Sequence, residues 1–338
     1  MKQRRIAVIC TRRLDDVLLA TAVIRSLRRV ARPGMRIEAM VAPEAAPALA
    51  GNPDVDEIVP IPHRLFSWRE AWSLLRRIFR RYELAVALDC SNRAHVLAFL
   101  AAPQRAALIP PGNDRRVRWK RWLSWRSLRV NERAMHTVEQ GLRLVERMGM
   151  PRWPEIVPPR ADASALDRKL GANWSEAPYA VVQPAPAHAF AAWTESGWRA
   201  VVEALESRGL RVHLPADRLE FAELTPLLER ARVFIGVDSS VTQLAAATGV
   251  PTIAIFGPSN VVARGPWPRC AAGRSPAAWK MTVPLQRQGN VWIIQGLAPC
   301  APCLREGCER HEQSRSDCLA ELPAARVIAT IDAALAAA

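Results

Sequence analysis

Hydrophobic and polar positions fall into blocks most clearly between Arg232 and Asn260. Val233 to Val237 is a short run rich in β-branched and aromatic residues, the pattern of a strand buried on both faces. Asp238, Ser239 and Ser240 follow, and all three suit a helix N-cap. Val241 to Thr248 reads as a short helix stopped by Gly249, and Pro251 opens a second apolar run from Thr252 to Phe256. Strand, helix and strand make a βαβ unit whose first strand leads into a helix N-terminus. Backbone N–H groups and the helix dipole there favour an anion such as a phosphate. An ordinary βα turn that binds nothing has the same pattern.

The same blocks recur at the start of the chain. Ile6 to Cys10 reads as a strand, Thr11 to Asp16 as a polar loop, and Val17 to Val30 as a helix with Leu19, Val23, Leu27 and Val30 near one face. Asp15 and Asp16 then lie at the mouth of a βα loop, where open α/β sheets place their ligands. Capping and dipole complementation justify one carboxylate there; two, following Arg12 and Arg13, exceed that need. Strands at Ile37–Val41, Glu57–Ile61 and Leu84–Leu88 alternate with helices at Ala45–Ala50, Trp68–Tyr82 and Arg93–Ala101, a doubly wound half. A helix from Met135 to Met148, with His136 near its start, precedes a linker punctuated by Pro151, Pro154, Pro158 and Pro159. The alternation restarts with strands at Tyr179–Val182 and Leu210–Leu214 and helices at Glu195–Arg208 and Glu220–Ala231. The pattern predicts two α/β domains, residues 1–158 and 159–338.

Charge narrows the partners. Lys and Arg number 47 against 32 acidic residues, a net charge of +15, which favours nucleic acid, a membrane surface or phosphorylated glycans. No run approaches the ~20 apolar residues of a spanning helix, and the N-terminal apolar run is too short for a signal peptide core, so a cytoplasmic location is expected. Asp114 to Arg133 interleaves Trp119, Trp122 and Trp125 with Arg and Lys, at a spacing that puts all three on one helical face. That fits nucleic-acid stacking, docking on an anionic membrane, or an amphipathic segment with Trp turned inward. Walker-type and GxGxxG loops are absent. Cys300, Cys303, Cys308 and Cys318 form a C-x2-C-x4-C-x9-C cluster, read either as a structural zinc or iron site or as reduced structural thiols.

Four stretches, in order, carry a resemblance. LDDVLLATAVIRSL, NPDVDEIVPI, MHTVEQGLRL and VDSSVTQLAAATGVPTIAIFGPSN are similar to the motifs of glycosyltransferase family 9, the bacterial heptosyltransferases of lipopolysaccharide core assembly. The resemblance runs nearly end to end and implies a GT-B fold, two Rossmann-like doubly wound domains facing across a cleft. It implies an N-terminal acceptor-binding domain and a C-terminal nucleotide-sugar-binding domain that carries the Cys-rich tail. The implied reaction is inverting transfer of heptose from ADP-heptose to an anionic, lipid-linked core or related surface glycan, by an enzyme peripheral to the inner membrane. A degenerate member that binds glycans or partners without efficient transfer is the alternative. Asp16 matches the family's catalytic aspartate, and Arg12, Arg13 and His136 fall where the family meets its acceptor. Asp238, Ser239, Ser240, Thr242 and Gln243 fall in the donor signature. No cofactor is required for catalysis.

Departures from the family pattern bear on the donor. Asp15 replaces a glycine, Ser240 a glycine and Gln243 a histidine. Two residues before Trp193, where the family usually has a phosphate-binding lysine, stands Ala191, so either His188 or a nearby Arg substitutes, or the donor differs, or the transferase is degenerate. Leu210 to Ala231 is too short for the family's usual loop with a ribose-binding acid.

Overall fold

The computed structural model describes residues 4–62, 68–171, 173–186, 188–215, 219–269, 274–296, 298–311 and 313–337. The chain divides into two compact units after Val157.

In the first unit, strands β1 (Arg5–Cys10), β2 (Arg36–Val41), β3 (Glu57–Pro60), β4 (Leu84–Ala87), β5 (Gln104–Ile109) and β6 (Arg126–Arg129) form one sheet in the order β3-β2-β1-β4-β5-β6. Every pairing is parallel, with Ile6 beside Ile37 on one side and Leu84 on the other. Each parallel crossover needs a helix, and helices on both faces explain why these strands are apolar runs rather than alternating ones. Helices α1 (Leu14–Val30) and α5 (Thr137–Arg147) pack together on one face; α2 (Trp68–Ile78), α3 (Asn92–Ala101) and α4 (Arg115–Leu123) form the other layer, with α3 in the middle. The α1–α5 approach is close enough that a Cβ at Gly141 would come within 2.6 Å of the Val23 side chain. Only glycine fits that crossing.

Helix α1 begins at Leu14, three residues before the apolar periodicity, so Asp15 and Asp16 sit in its first turn rather than in the loop. The basic-aromatic stretch also differs from expectation. It splits into α4 and the edge strand β6; Trp119 is half-buried against His95, while Trp122 and Trp125 point outward and Trp125 lies beyond the helix. Val117 and Lys120 take the inward positions instead, and Lys120 Nζ donates to the Cys90 carbonyl at 2.5 Å. The three tryptophans therefore share no face.

The second unit begins with α6 (Ser164–Leu170), followed by β7 (Tyr179–Gln183), α7 (Glu195–Glu206), β8 (Arg211–His213), α8 (Leu224–Arg230), β9 (Val233–Val237), α9 (Ser240–Thr248), β10 (Thr252–Phe256), α10 (Val261–Arg264), β11 (Leu285–Gln288), β12 (Val291–Gln295), α11 (Asp317–Ala320) and α12 (Ala324–Ala336). The sheet order is β11-β12-β10-β9-β7-β8, parallel except for the edge pair β11–β12. Helix α12 packs on α7 and across β9, β10 and β12, and the core it closes contains Trp193, Trp198, Leu319, Val327 and Ile331. The Trp193 indole donates to the Leu322 carbonyl at 3.1 Å, tying the segment before α7 to the tail.

Candidate active site

A doubly wound sheet offers a crevice where strand order reverses, beyond the carboxyl ends of the two strands that flank the reversal. In the first unit those strands are β1 and β4, and the residues after them meet. Asp89, which is 1% exposed, accepts from the Thr11 backbone N–H at 2.8 Å, the Thr11 hydroxyl at 3.1 Å and the Ser91 N–H at 2.9 Å. Ser91 in turn caps α3. The loop that carries Arg12 is thus fixed from below by a carboxylate on the neighbouring strand.

Arg12 and Asp16 come together at this point. Burial works against the Arg12 charge, but Asp16, Glu132 and Asp89 outweigh it and hold the guanidinium above its ordinary value. Arg12 also forms an ion pair with Glu132, in the loop after β6. Asp16 is 3% exposed in the first turn of α1, whereas Asp15 is partly exposed and lies 3.8 Å from Arg13. The adjacent carboxylates therefore differ, Asp16 almost fully buried and Asp15 keeping part of its surface in water. Burial first, then Asp16 and Asp89, push the neighbouring Cys10 thiol well above its usual range, so it stays a neutral apolar floor to the cluster. His136 is buried as the cap of α5, its Nδ1 accepting the Val138 N–H at 3.2 Å. Its ring is committed to the helix end on that side.

The second unit's reversal lies between β7 and β9. Asp238 follows β9, Ser239 caps α9 by accepting the Thr242 N–H at 3.3 Å, and the first turn of the helix points its N–H groups past the end of β9. Thr242 and Gln243 face inward: the Thr242 hydroxyl donates to the Val237 carbonyl, and Gln243 Nε2 donates to the Arg264 carbonyl at 2.7 Å. Beyond β7, the loop brings His188, half-buried and stacked on Phe190 with ring centroids 5.1 Å apart. Ala191 is 6% exposed in a 3-10 turn, so a long cation at that position would be driven into the core rather than toward a ligand.

The cysteine tail frames the same end of the sheet. Ser316 donates to the Phe190 carbonyl at 2.6 Å, and the Leu304 N–H donates to the Pro258 carbonyl at 2.9 Å, so the tail braces the loops after β7 and β10. Burial, then Cys303, Cys300 and Cys308, push the Cys318 thiol up to about 12. Yet among the described residues no group of three or more His, Cys, Asp or Glu side chains stands close enough to hold a metal ion. The expected four-cysteine shell is gathered but not closed: electrostatic coupling acts well beyond the ~2.3 Å of a metal–sulfur bond.

Asp89 and Glu132 are the residues that sequence reading left without a role. For Asp89 a signal existed, its place at the carboxyl end of a strand; for Glu132 and the buried Lys120 there was none.

Residues 216–282 match the sequence profile of Glycosyltransferase family 9 (heptosyltransferase). Lipopolysaccharide heptosyltransferase 1 of Pseudomonas aeruginosa is 26% identical, over 90% of this chain and 87% of that protein. Lipopolysaccharide heptosyltransferase 3 of Escherichia coli is 25% identical, over 75% of this chain and 83% of its own length. Among solved structures, the Escherichia coli heptosyltransferase WaaC with ADP superposes with a TM-score of 0.67 at 16% identity, covering 98% of this chain and 99% of that one. Two Rossmann-like units of the GT-B class, motifs in family order, and relatives aligned over most of their length agree: the chain is similar to glycosyltransferase family 9, and the protein is a glycosyltransferase.

Proposed function

We propose that the protein transfers heptose from ADP-heptose, with inversion, to a lipopolysaccharide core or a related lipid-linked glycan. The observation that carries this reading is the buried Asp16 carboxylate beside Arg12 at the reversal of the first sheet. Asp16 acts as general base, taking the proton of the acceptor hydroxyl as that oxygen attacks the anomeric carbon and the bond to the diphosphate breaks. Arg12 and Arg13 supply cations to the phosphates of the acceptor, with His136 at the start of α5. Asp238, Ser239 and Ser240 place the start of α9 against the donor diphosphate, whose charge the helix-end N–H groups stabilise as it departs. In this reading residues 1–158 bind acceptor and residues 159–338 bind donor. The lipid-linked acceptor brings the enzyme to the inner face of the cytoplasmic membrane. Among the described residues no helix is long and apolar enough to cross it.

Calorimetric titration tests the donor half. ADP should bind the wild-type protein, and His188→Ala should weaken it roughly tenfold, the loss of one hydrogen bond to a charged group at about 1.5 kcal/mol. Ala191→Lys should not tighten ADP, because the position is buried. An ADP-heptose reading does not survive if neither ADP nor ADP-heptose binds at all.

The four tail cysteines are proposed to hold a structural zinc or iron ion. The support is the C-x2-C spacing and the closeness of all four cysteines in sequence. Purified protein should contain close to one metal ion per chain, and Cys303→Ser should release it and lower the melting temperature. Metal-free protein with unchanged melting would leave the thiols as packing alone.

A further inference from the structure

Six aromatic side chains are exposed among the described residues, and all six lie in the first unit, on or just past α2, α3 and α4: Trp68, Trp72, Phe79, Phe99, Trp122 and Trp125. Trp122 is 86% exposed and Trp68 74%, values at which an indole contributes nothing to the core. Val96 joins them one turn before Phe99 on the outward side of α3, the helix flanked by α2 and α4. This is an apolar surface spread across three neighbouring helices, not a scatter of single residues. It is also strongly basic. From Asp114 to Arg126 the sequence has six basic residues and one acidic, and α2 adds Arg69, Arg76 and Arg77 against Glu70.

We propose that the outer face of the α2–α3–α4 layer docks the protein on an anionic phospholipid bilayer. Indole rings are suited to the head-group level, where one edge is wet and the body is apolar, and Phe79, Val96 and Phe99 reach the acyl boundary. Arginines between them meet lipid phosphates. The cations also decide between a bilayer and a nucleic acid. Arg69 lies 5.7 Å over the Trp68 ring, Arg76 5.2 Å over Trp72 and Arg126 4.5 Å over Trp125, so on three of the four tryptophans an arginine already competes with a base for one ring face. A ring whose face holds an arginine still presents its edge to lipid. On α4, Arg118, Trp119, Arg121 and Trp122 line one open recess on this face. The inference extends the acceptor assignment without depending on it, since lipid binding is measured with no sugar present.

The test is co-sedimentation of the full chain with vesicles of phosphatidylcholine containing phosphatidylglycerol, beside vesicles of phosphatidylcholine alone. Wild type should bind the anionic vesicles at least tenfold more tightly, with binding weakened by salt. Trp68→Ala combined with Trp122→Ala should lose tenfold or more, and Arg118→Glu with Arg121→Glu should lose as much without touching an aromatic. Leu214→Ala with Leu285→Ala, exposed apolar residues of the second unit, should bind as wild type does. Unaltered binding in both test pairs, failure of wild type to bind anionic vesicles, or tighter binding to a single-stranded oligonucleotide that displaces the vesicles would each overturn the proposal.

Discussion

Asp16→Asn is expected to lower turnover by ~100-fold or more while leaving the fold and donor affinity unchanged, because a positioned general base contributes on the order of 10²–10⁴ in rate. Asparagine keeps the shape of the side chain in the first turn of α1 but cannot take a proton. The substitution also removes one of the three carboxylates around Arg12, which retains Glu132 and Asp89. The cation therefore stays paired, and the loop should not rearrange. Asp15→Asn is the matched control: that side chain faces Arg13 and solvent, and its loss should change turnover little. Rates from a nucleotide-sugar transfer assay on both variants decide the matter. Inactivity in the Asp15 variant with activity kept in the Asp16 variant would place the base one position earlier.

Asp89→Ala should be the most destabilising single change at the site. Three donors, two from Thr11 and one from Ser91, converge on a carboxylate that is almost fully buried. Each orphaned donor costs ~1–3 kcal/mol. With water entering the vacated space, a total near ~3–5 kcal/mol is expected, a large share of the 5–15 kcal/mol of a typical domain. Urea unfolding should show it. In protein that still folds at low temperature, turnover should fall too, because Arg12 rides on the loop that Thr11 anchors. Asp89→Asn keeps one acceptor oxygen and should recover part of both. A variant as stable as wild type would show that Asp89 does not hold the two strands' ends together.

Much of this architecture could be read from the chain because parallel strands covered on both faces are apolar runs with sharp polar ends. β9 and β10 match their predicted bounds to the residue, closed by Asp238 and Gly257. β6 was hidden because it is four half-exposed residues, Arg126 to Arg129, inside a basic stretch with no apolar run to mark it. The start of α1 was placed late because Arg13, its cap, makes no side-chain bond of the kind that signals a helix start. Asp238 stands at a strand end and Asp16 in the first helical turn beyond one, where position alone suggests chemistry. What no pattern carried was inward placement against type: a lysine in the buried row of α4, a histidine ring used as a helix cap, and an alanine where a phosphate-binding cation was sought.

The position of α12 has a consequence for how the protein is made. The first unit's sheet draws on nothing later than Arg129, and all but a short later piece of that unit has been synthesised by Val157. The second unit cannot close its core at that stage or for long afterwards, since Leu319, Val327, Ile331 and Ala334 are all fully or almost fully buried parts of it. At common ribosomal speeds roughly 10–40 s separate the two events. During that interval a folded first unit is tethered to a growing chain whose strands β7 to β12 are rich in aromatic and β-branched residues and lack their last helix. That nascent segment, rather than the finished protein, is where chaperone demand and aggregation should concentrate.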